Sequence, residues 1–159
     1  MGKATYGTVK INFDATVFNN KTGFGVIVHD SDGFILSGGG GFKYEDMTAE
    51  WAKLYAFEEG LKIVCSLNIT KAIFKIDCAI LVNRVNYREE DITIMGYRIK
   101  EAFKTMEMFT TIAVNWANCS CNKIVAFICK TAITNNCNLV FGMDYPKEIH
   151  DLVLGDSIN

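Results

Sequence analysis

The strongest constraint on how this chain can fold is an alternation near its N-terminus. From Val9 to Val17 the apolar residues Val9, Ile11, Phe13 and Val17 fall on odd positions, with Lys10, Asn12, Asp14 and Thr16 between them. A period of two marks a half-buried β-strand, because successive side chains leave a strand on opposite faces. Asp14 is thereby turned away from the face that carries Val9. A polar turn, Asn19-Asn20-Lys21, leads to a second run from Thr22 to His29. Asp30-Ser31-Asp32-Gly33 leads to a third, Phe34 to Leu36, which continues into glycines 38 to 41. Connections this short join strands running in opposite directions, so the first third of the chain reads as an antiparallel meander.

The period then changes. After Thr48, a residue type suited to cap a helix, Leu54, Phe57, Leu61 and Val64 recur at helical spacing with alanines 49, 52 and 56 between them, predicting a long helix from about Thr48 to Ser66. Ala72 to Asp77 reads as a short strand, Ile80 to Val85 as a short helix, Ile92 to Lys104 as a longer one and Phe109 to Trp116 as a strand. Asn122 to Thr134 is helical, with Ile124, Phe127 and Ile128 on one side. The tail after Pro146 carries Ile149, Leu152 and Val153 as a small amphipathic helix. Strands followed by mixed β and α units imply one α+β or α/β sheet with helices packed on it.

With 159 residues, 50% of them hydrophobic, the chain can bury a proper core, and nothing resembling a linker or repeat divides it; residues 1–159 read as one domain. The formal charge is −2 and the basic residues are scattered, so any affinity for nucleic acid must come from a local patch or a bound metal. No apolar run approaches the roughly 20 residues that span a bilayer, and Met1-Gly2-Lys3 leads straight into a strand pattern. The expectation is an intracellular protein of nucleus or cytoplasm, an organelle not being excluded, with no membrane partner. The sequons at Asn20, Asn68 and Asn118 would matter only in a secreted chain. Six cysteines (65, 78, 119, 121, 129 and 137) lack the paired spacing of a zinc site and read as reduced thiols, most of them in the core. His29 and His150 read as surface residues, and Trp51, Tyr55 and Trp116 as core aromatics.

Three carboxylates stand out by position. Asp14 lies mid-strand on a polar face, Glu50 opens the long helix, and Asp77 closes the fourth strand. Each has an ordinary explanation: Asp14 as a solvated strand residue, Glu50 as the complement of a positive helix N-terminus, Asp77 as a cap. All three can converge if the helix crosses the sheet.

The joint pattern resembles the ribonuclease H family, as found in plants and retrotransposons. Asn12-Phe13-Asp14-Ala15 is similar to the family's Asn-x-Asp-Gly, Thr22-Gly23-Phe24-Gly25-Val26-Ile27 to its Gly-x-Gly second strand, and Asp30-Ser31-Asp32-Gly33 to the turn after that strand. Thr48-Ala49-Glu50 and Glu59-Gly60-Leu61 resemble its first helix, Ile76-Asp77-Cys78 its Asp-Ser, and Asn122-Lys123 with Lys130 its last helix. The tail with Pro146, Leu152 and Asp156 resembles plant members. The resemblance implies an α/β fold bordering on α+β: a five-stranded mixed sheet, three antiparallel strands then parallel ones, with helices on both faces.

The same resemblance implies metal-dependent cleavage of the RNA strand of RNA–DNA hybrids, by two Mg2+ ions (or Mn2+) roughly 3.5–4 Å apart. Carboxylates suit such hard ions. Carried over, Asp14 would bridge both ions, and Glu50 and Asp77 would hold the one nearer the leaving oxygen. These three are the catalytic and metal-binding candidates, with Asn12, Ala15, Thr16 and Asn122 at the substrate. The fourth carboxylate aligns with Ala126, which has no oxygen to offer. The family's histidine and arginine before the last helix align with Trp116 and Cys119, its glycine after the first aspartate with Ala15, and Arg88-Glu89-Glu90-Asp91 replaces a basic extension with a mainly acidic one. Three functions are compatible with this pattern: a weak nuclease in which water, Asn122 or Cys129 compensates for Ala126; a degenerate module binding RNA–DNA hybrid, structured RNA or a protein partner; and a purely structural interaction module. Replacing Ala126 by Asp separates the first two.

Overall fold

The computed structural model describes residues 7–87, 93–104, 109–116 and 123–155. Met1-Gly2-Lys3, the 88–91 segment, Asn118, Cys119, Cys121, Asn122 and Asp156 lie outside the described residues. Among the described residues eleven elements run in the order β1 (Val9–Phe18), β2 (Lys21–His29), β3 (Ile35–Lys43), α1 (Ala49–Ser66), β4 (Lys71–Ile76), α2 (Ala79–Asn86), α3 (Ile94–Lys104), β5 (Thr111–Trp116), α4 (Lys123–Asn135), β6 (Leu139–Phe141) and α5 (Lys147–Gly155). The sheet order is β5-β4-β1-β2-β3-β6. β1, β2, β3 and β6 pair antiparallel, and β4 joins β1 and β5 in parallel.

The local chemistry explains the meander. Phe18 pairs with Lys21, so the first hairpin turns on Asn19 and Asn20 alone, at φ 49° and 59°. A two-residue turn matched to strand twist needs positive φ at both positions, and asparagine tolerates it. In the second turn Asp30 Oδ1 accepts from the amides of Asp32 and Phe34, both at 2.9 Å. Thr48 caps α1, its hydroxyl accepting from the Trp51 amide at 3.4 Å.

The sheet has a core on each face. On one, Ile11, Phe13, Val26 and Phe74 pack against Leu54, Phe57, Leu61 and Val64 of α1, joined by Leu81 of α2 and Ile99 of α3. Phe57 sits at its centre, its ring 5.7 Å from Phe13 and 5.3 Å from Phe74. On the other face Ile27 and Ile35 meet Ile124, Val125, Ile128 and Cys129 of α4 and Ile149 of α5. There α4 approaches closely because the strand residues beneath it are glycines. A Cβ on Gly25 would stand 2.7 Å from the Val125 carbonyl oxygen, and one on Gly40 would run into Ile128.

Among the described residues the sheet has six strands where five were expected. The sixth, Leu139-Val140-Phe141, pairs with Gly38, Gly39 and Gly40 and is too short to show a period. His29, expected at the surface, is 1% exposed. Its Nδ1 lies 3.2 Å from the Asp30 carbonyl, which can only accept, so Nδ1 carries the proton and Nε2 accepts from Asn12 Nδ2 at 3.5 Å. His150 is exposed and stacks on Tyr145. Of the three aromatics expected inside, Tyr55 is buried and Trp51 half-buried, but Trp116, the last residue of the edge strand β5, is exposed. Among the described cysteines, only Cys129 is fully buried; Cys65, Cys78 and Cys137 are half-buried thiols. No helix among the described residues is long and apolar enough to cross a membrane.

Candidate functional site

The site arises at the end of the β1/β4 pair. These strands run parallel with Asn12 opposite Lys75, and the same register two residues on brings Asp14 beside Asp77, which follows the last residue of β4. Alternation turns Asp14 away from buried Phe13, and the Asp14 Oδ1 accepts from the Ala15 amide at 2.8 Å. α1 crosses above β1 and carries Glu50 in its first turn.

The residue that α1 delivers to the two aspartates is Lys53. Its Nζ lies 3.0 Å from Asp14 Oδ1 and 2.5 Å from Asp77 Oδ1. The Lys53, Asp14 and Asp77 side chains are 20%, 22% and 7% exposed, so the triad is largely withdrawn from solvent. Burial alone would lower the Lys53 pKa, but the hydrogen bonds to Asp77 and Asp14 outweigh it and hold the ammonium above its ordinary value. Glu50 has a different partner: Arg84 of α2 places its Nε 2.7 Å from Glu50 Oε1. That oxygen is buried and receives no aligned hydrogen bond, so the contact is an ion pair and not a donor-acceptor bond.

The three predicted ligands therefore come to one end of the sheet, but they do not form one ligand set. Among the described residues no group of three or more His, Cys, Asp or Glu side chains is arranged to hold a metal ion. The oxygens are hard donors of the right kind. However, the Lys53 ammonium stands between two of them, Arg84 is against the third, and Ala126 supplies none. As arranged, the residues do not fit a metal pair.

Other candidates have different surroundings. Asn12 is buried against His29, beneath the surface and not at it. Ala15 is half-buried, Thr16 exposed. Ala126 sits on the exposed side of α4, one turn before Cys129. The Cys129 thiol donates to the Asp14 carbonyl oxygen at 3.3 Å, and burial pushes its pKa up to about 12. The thiol is thus engaged by a backbone carbonyl, and its sulfur is a softer donor than the oxygens that hard divalent ions prefer. Asn122 lies outside the described residues. Trp116 is directly across from Ile76 on β5 and 58% exposed, which sets an open aromatic face beside the Asp77 end of β4.

Sequence reasoning missed Lys53 and Arg84. A signal for Lys53 was present: it is three residues after Glu50, hence on the same face of a helix, in a stretch otherwise apolar. Arg84 had none, because only the packing of α2 beside α1 brings it to Glu50.

Comparison with known proteins agrees with this architecture. A family model described as reverse transcriptase-like matches residues 12–132. No curated protein matches. Ribonuclease H1 from the halophilic archaeon Halobacterium salinarum NRC-1 superposes with a TM-score of 0.72 at 16% identity, over 81% of this chain and 99% of that one. The N-terminal RNase H domain of a Mycobacterium tuberculosis protein, solved as a maltose-binding-protein fusion, gives 0.70 at 19% identity, over 80% and 94%. LC11 ribonuclease H1, solved in complex with an RNA/DNA hybrid, gives 0.71 at 14% identity, over 80% and 98%. With the strand order, the helices on both faces and a family match over most of its length, the chain belongs to the reverse transcriptase-like family and has the ribonuclease H-like fold.

Proposed function

We propose that this is a ribonuclease H-type nucleic-acid-binding domain that takes an RNA–DNA hybrid or a structured RNA without cleaving it efficiently. The observation that carries the reading is the Lys53 ammonium lying between Asp14 and Asp77, where the chemistry of the family would need a divalent cation. Membership of the family and the hybrid bound to the similar LC11 enzyme support the ligand class. So does Trp116: an exposed indole on the strand next to β4, level with the end that leads into Asp77, offers a stacking face, and aromatic faces serve sugars and bases of any sequence. A chain of net charge −2 offers little overall attraction to a polyanion, so a modest affinity is expected.

A second reading, weak hydrolysis with Mg2+ or Mn2+, is favoured by one observation. Glu50 Oε1 is buried without an aligned hydrogen bond and keeps capacity for a further partner. One experiment separates the two. A labelled RNA–DNA hybrid is incubated with the protein in magnesium and in manganese, binding and cleavage are both followed, and Asp14→Asn controls for contaminating nuclease. Binding without cleavage above the control is expected, and Trp116→Ala should weaken binding by about 1–3 kcal/mol. Cleavage that disappears in Asp14→Asn would establish the second reading, and absence of binding to hybrid and to structured RNA would defeat the first.

A further inference from the structure

We infer that Lys53 is a built-in cation that takes the place of a divalent ion: it holds the ends of β1 and β4 together through Asp14 and Asp77, and it keeps divalent ions out of the cluster. The argument rests on geometry and charge. Two carboxylates brought together by a parallel register repel each other unless a cation lies between them. An ammonium is a compact charge with three donors, so one lysine can bond both oxygens at once, and Lys53 does so at 3.0 and 2.5 Å. Its carbon stem rises from α1, so the charge is covalently tied to the element that covers the site. Arg84 stands against Glu50 from α2 as an ion pair, and the three carboxylates face two positive charges of the chain itself. A divalent ion entering between Asp14 and Asp77 must first displace Lys53 and leave that ammonium largely buried without its partners, which is costly. The fold at this end therefore needs no metal. This holds whether or not an RNA–DNA hybrid is the ligand.

Mutual exclusion gives a direct test. Mn2+ binding is titrated by electron paramagnetic resonance, and thermal stability is measured with and without Mn2+, for wild type, Lys53→Met, and Lys53→Met combined with Asp14→Asn. Expected are a wild-type melting temperature unmoved by Mn2+, a lower one in Lys53→Met that Mn2+ raises again, and Mn2+ affinity at least about tenfold higher in Lys53→Met than in wild type. The added Asp14→Asn should abolish that gain. Equal Mn2+ affinity in wild type and Lys53→Met would overturn the inference. Should Lys53→Met not fold, the wild-type protein still decides the matter through the side-chain carboxyl carbon resonances of Asp14 and Asp77. Resonances unchanged in millimolar Mg2+ support the built-in cation, and saturable shifts there overturn it.

Discussion

At the scale of single residues, a few side chains acquire their properties from what buries them. His29 is the clearest case. Burial is the largest influence on it and lowers its pKa below the ordinary 6.5, with Lys10 and Lys75 adding to the effect and Asp30 opposing it. Above about pH 6.5 the imidazole is neutral in both folded and unfolded chains and contributes nothing to pH dependence. As pH falls below that value the unfolded chain takes up a proton that the folded chain refuses, so stability is lost until the folded pKa is passed. The protein should therefore lose stability as pH falls through and below about 6.5, and His29→Gln should flatten that slope. Urea midpoints across this range measure it; parallel slopes in the two proteins would contradict the assignment. The residue alphabet hid this behaviour. A histidine at a strand end before a polar turn reads as exposed, and only its pairing with Asn12 across β1 and β2 shows otherwise.

At the scale of elements, the glycines of β2 and β3 determine how close α4 lies. Gly25→Ala would set a methyl 2.7 Å from the Val125 carbonyl oxygen and 3.1 Å from the Ile128 Cβ, so the helix backbone itself must shift. The expected loss is about 1–3 kcal/mol, of the size seen when a packed core is overfilled. Gly60, in the middle of α1, is the counter-example. A Cβ there meets Val26 methyls at 3.5 and 3.7 Å, which is ordinary contact, and alanine lowers the entropy of the unfolded chain. Gly60→Ala should stabilise by about 0.5–1 kcal/mol. Chemical denaturation of the two variants checks both signs; a Gly25→Ala protein as stable as wild type would mean that α4 is not in close contact. Most elements were legible in advance because their periods are long: α1 was expected from about Thr48 to Ser66 and spans Ala49–Ser66. β6 escaped because three residues carry no period, and its pairing depends on β3 being open on that side.

At the scale of the whole molecule, Phe57 ties the layers together. It is fully buried, and its ring meets Phe13 of β1, Phe74 of β4 and Phe103 of α3. Phe57→Ala should cost about 3–5 kcal/mol, a large share of the stability that holds a domain of this size together. Because the same packing seats α1 over the sheet, this variant should also weaken hybrid binding, whereas Gly60→Ala should not; thermal melts and a binding titration measure the two effects. By itself the sequence determined the meander, the long capped helix and the approximate order of the later helices and strands, since these depend on local period, turn chemistry and capping. It also named Asp14, Glu50 and Asp77 as residues that converge if the helix crosses the sheet, and it showed that Ala126 has no carboxylate. The partners of those carboxylates were decided only in three dimensions. The pairing of Asp14 with Asp77 depends on a parallel register between strands far apart in sequence. Lys53 between them depends on the seating of α1, and Arg84 on Glu50 depends on α2 beside it. Charge balance at a buried site is a property of distances, and a linear chain does not contain them.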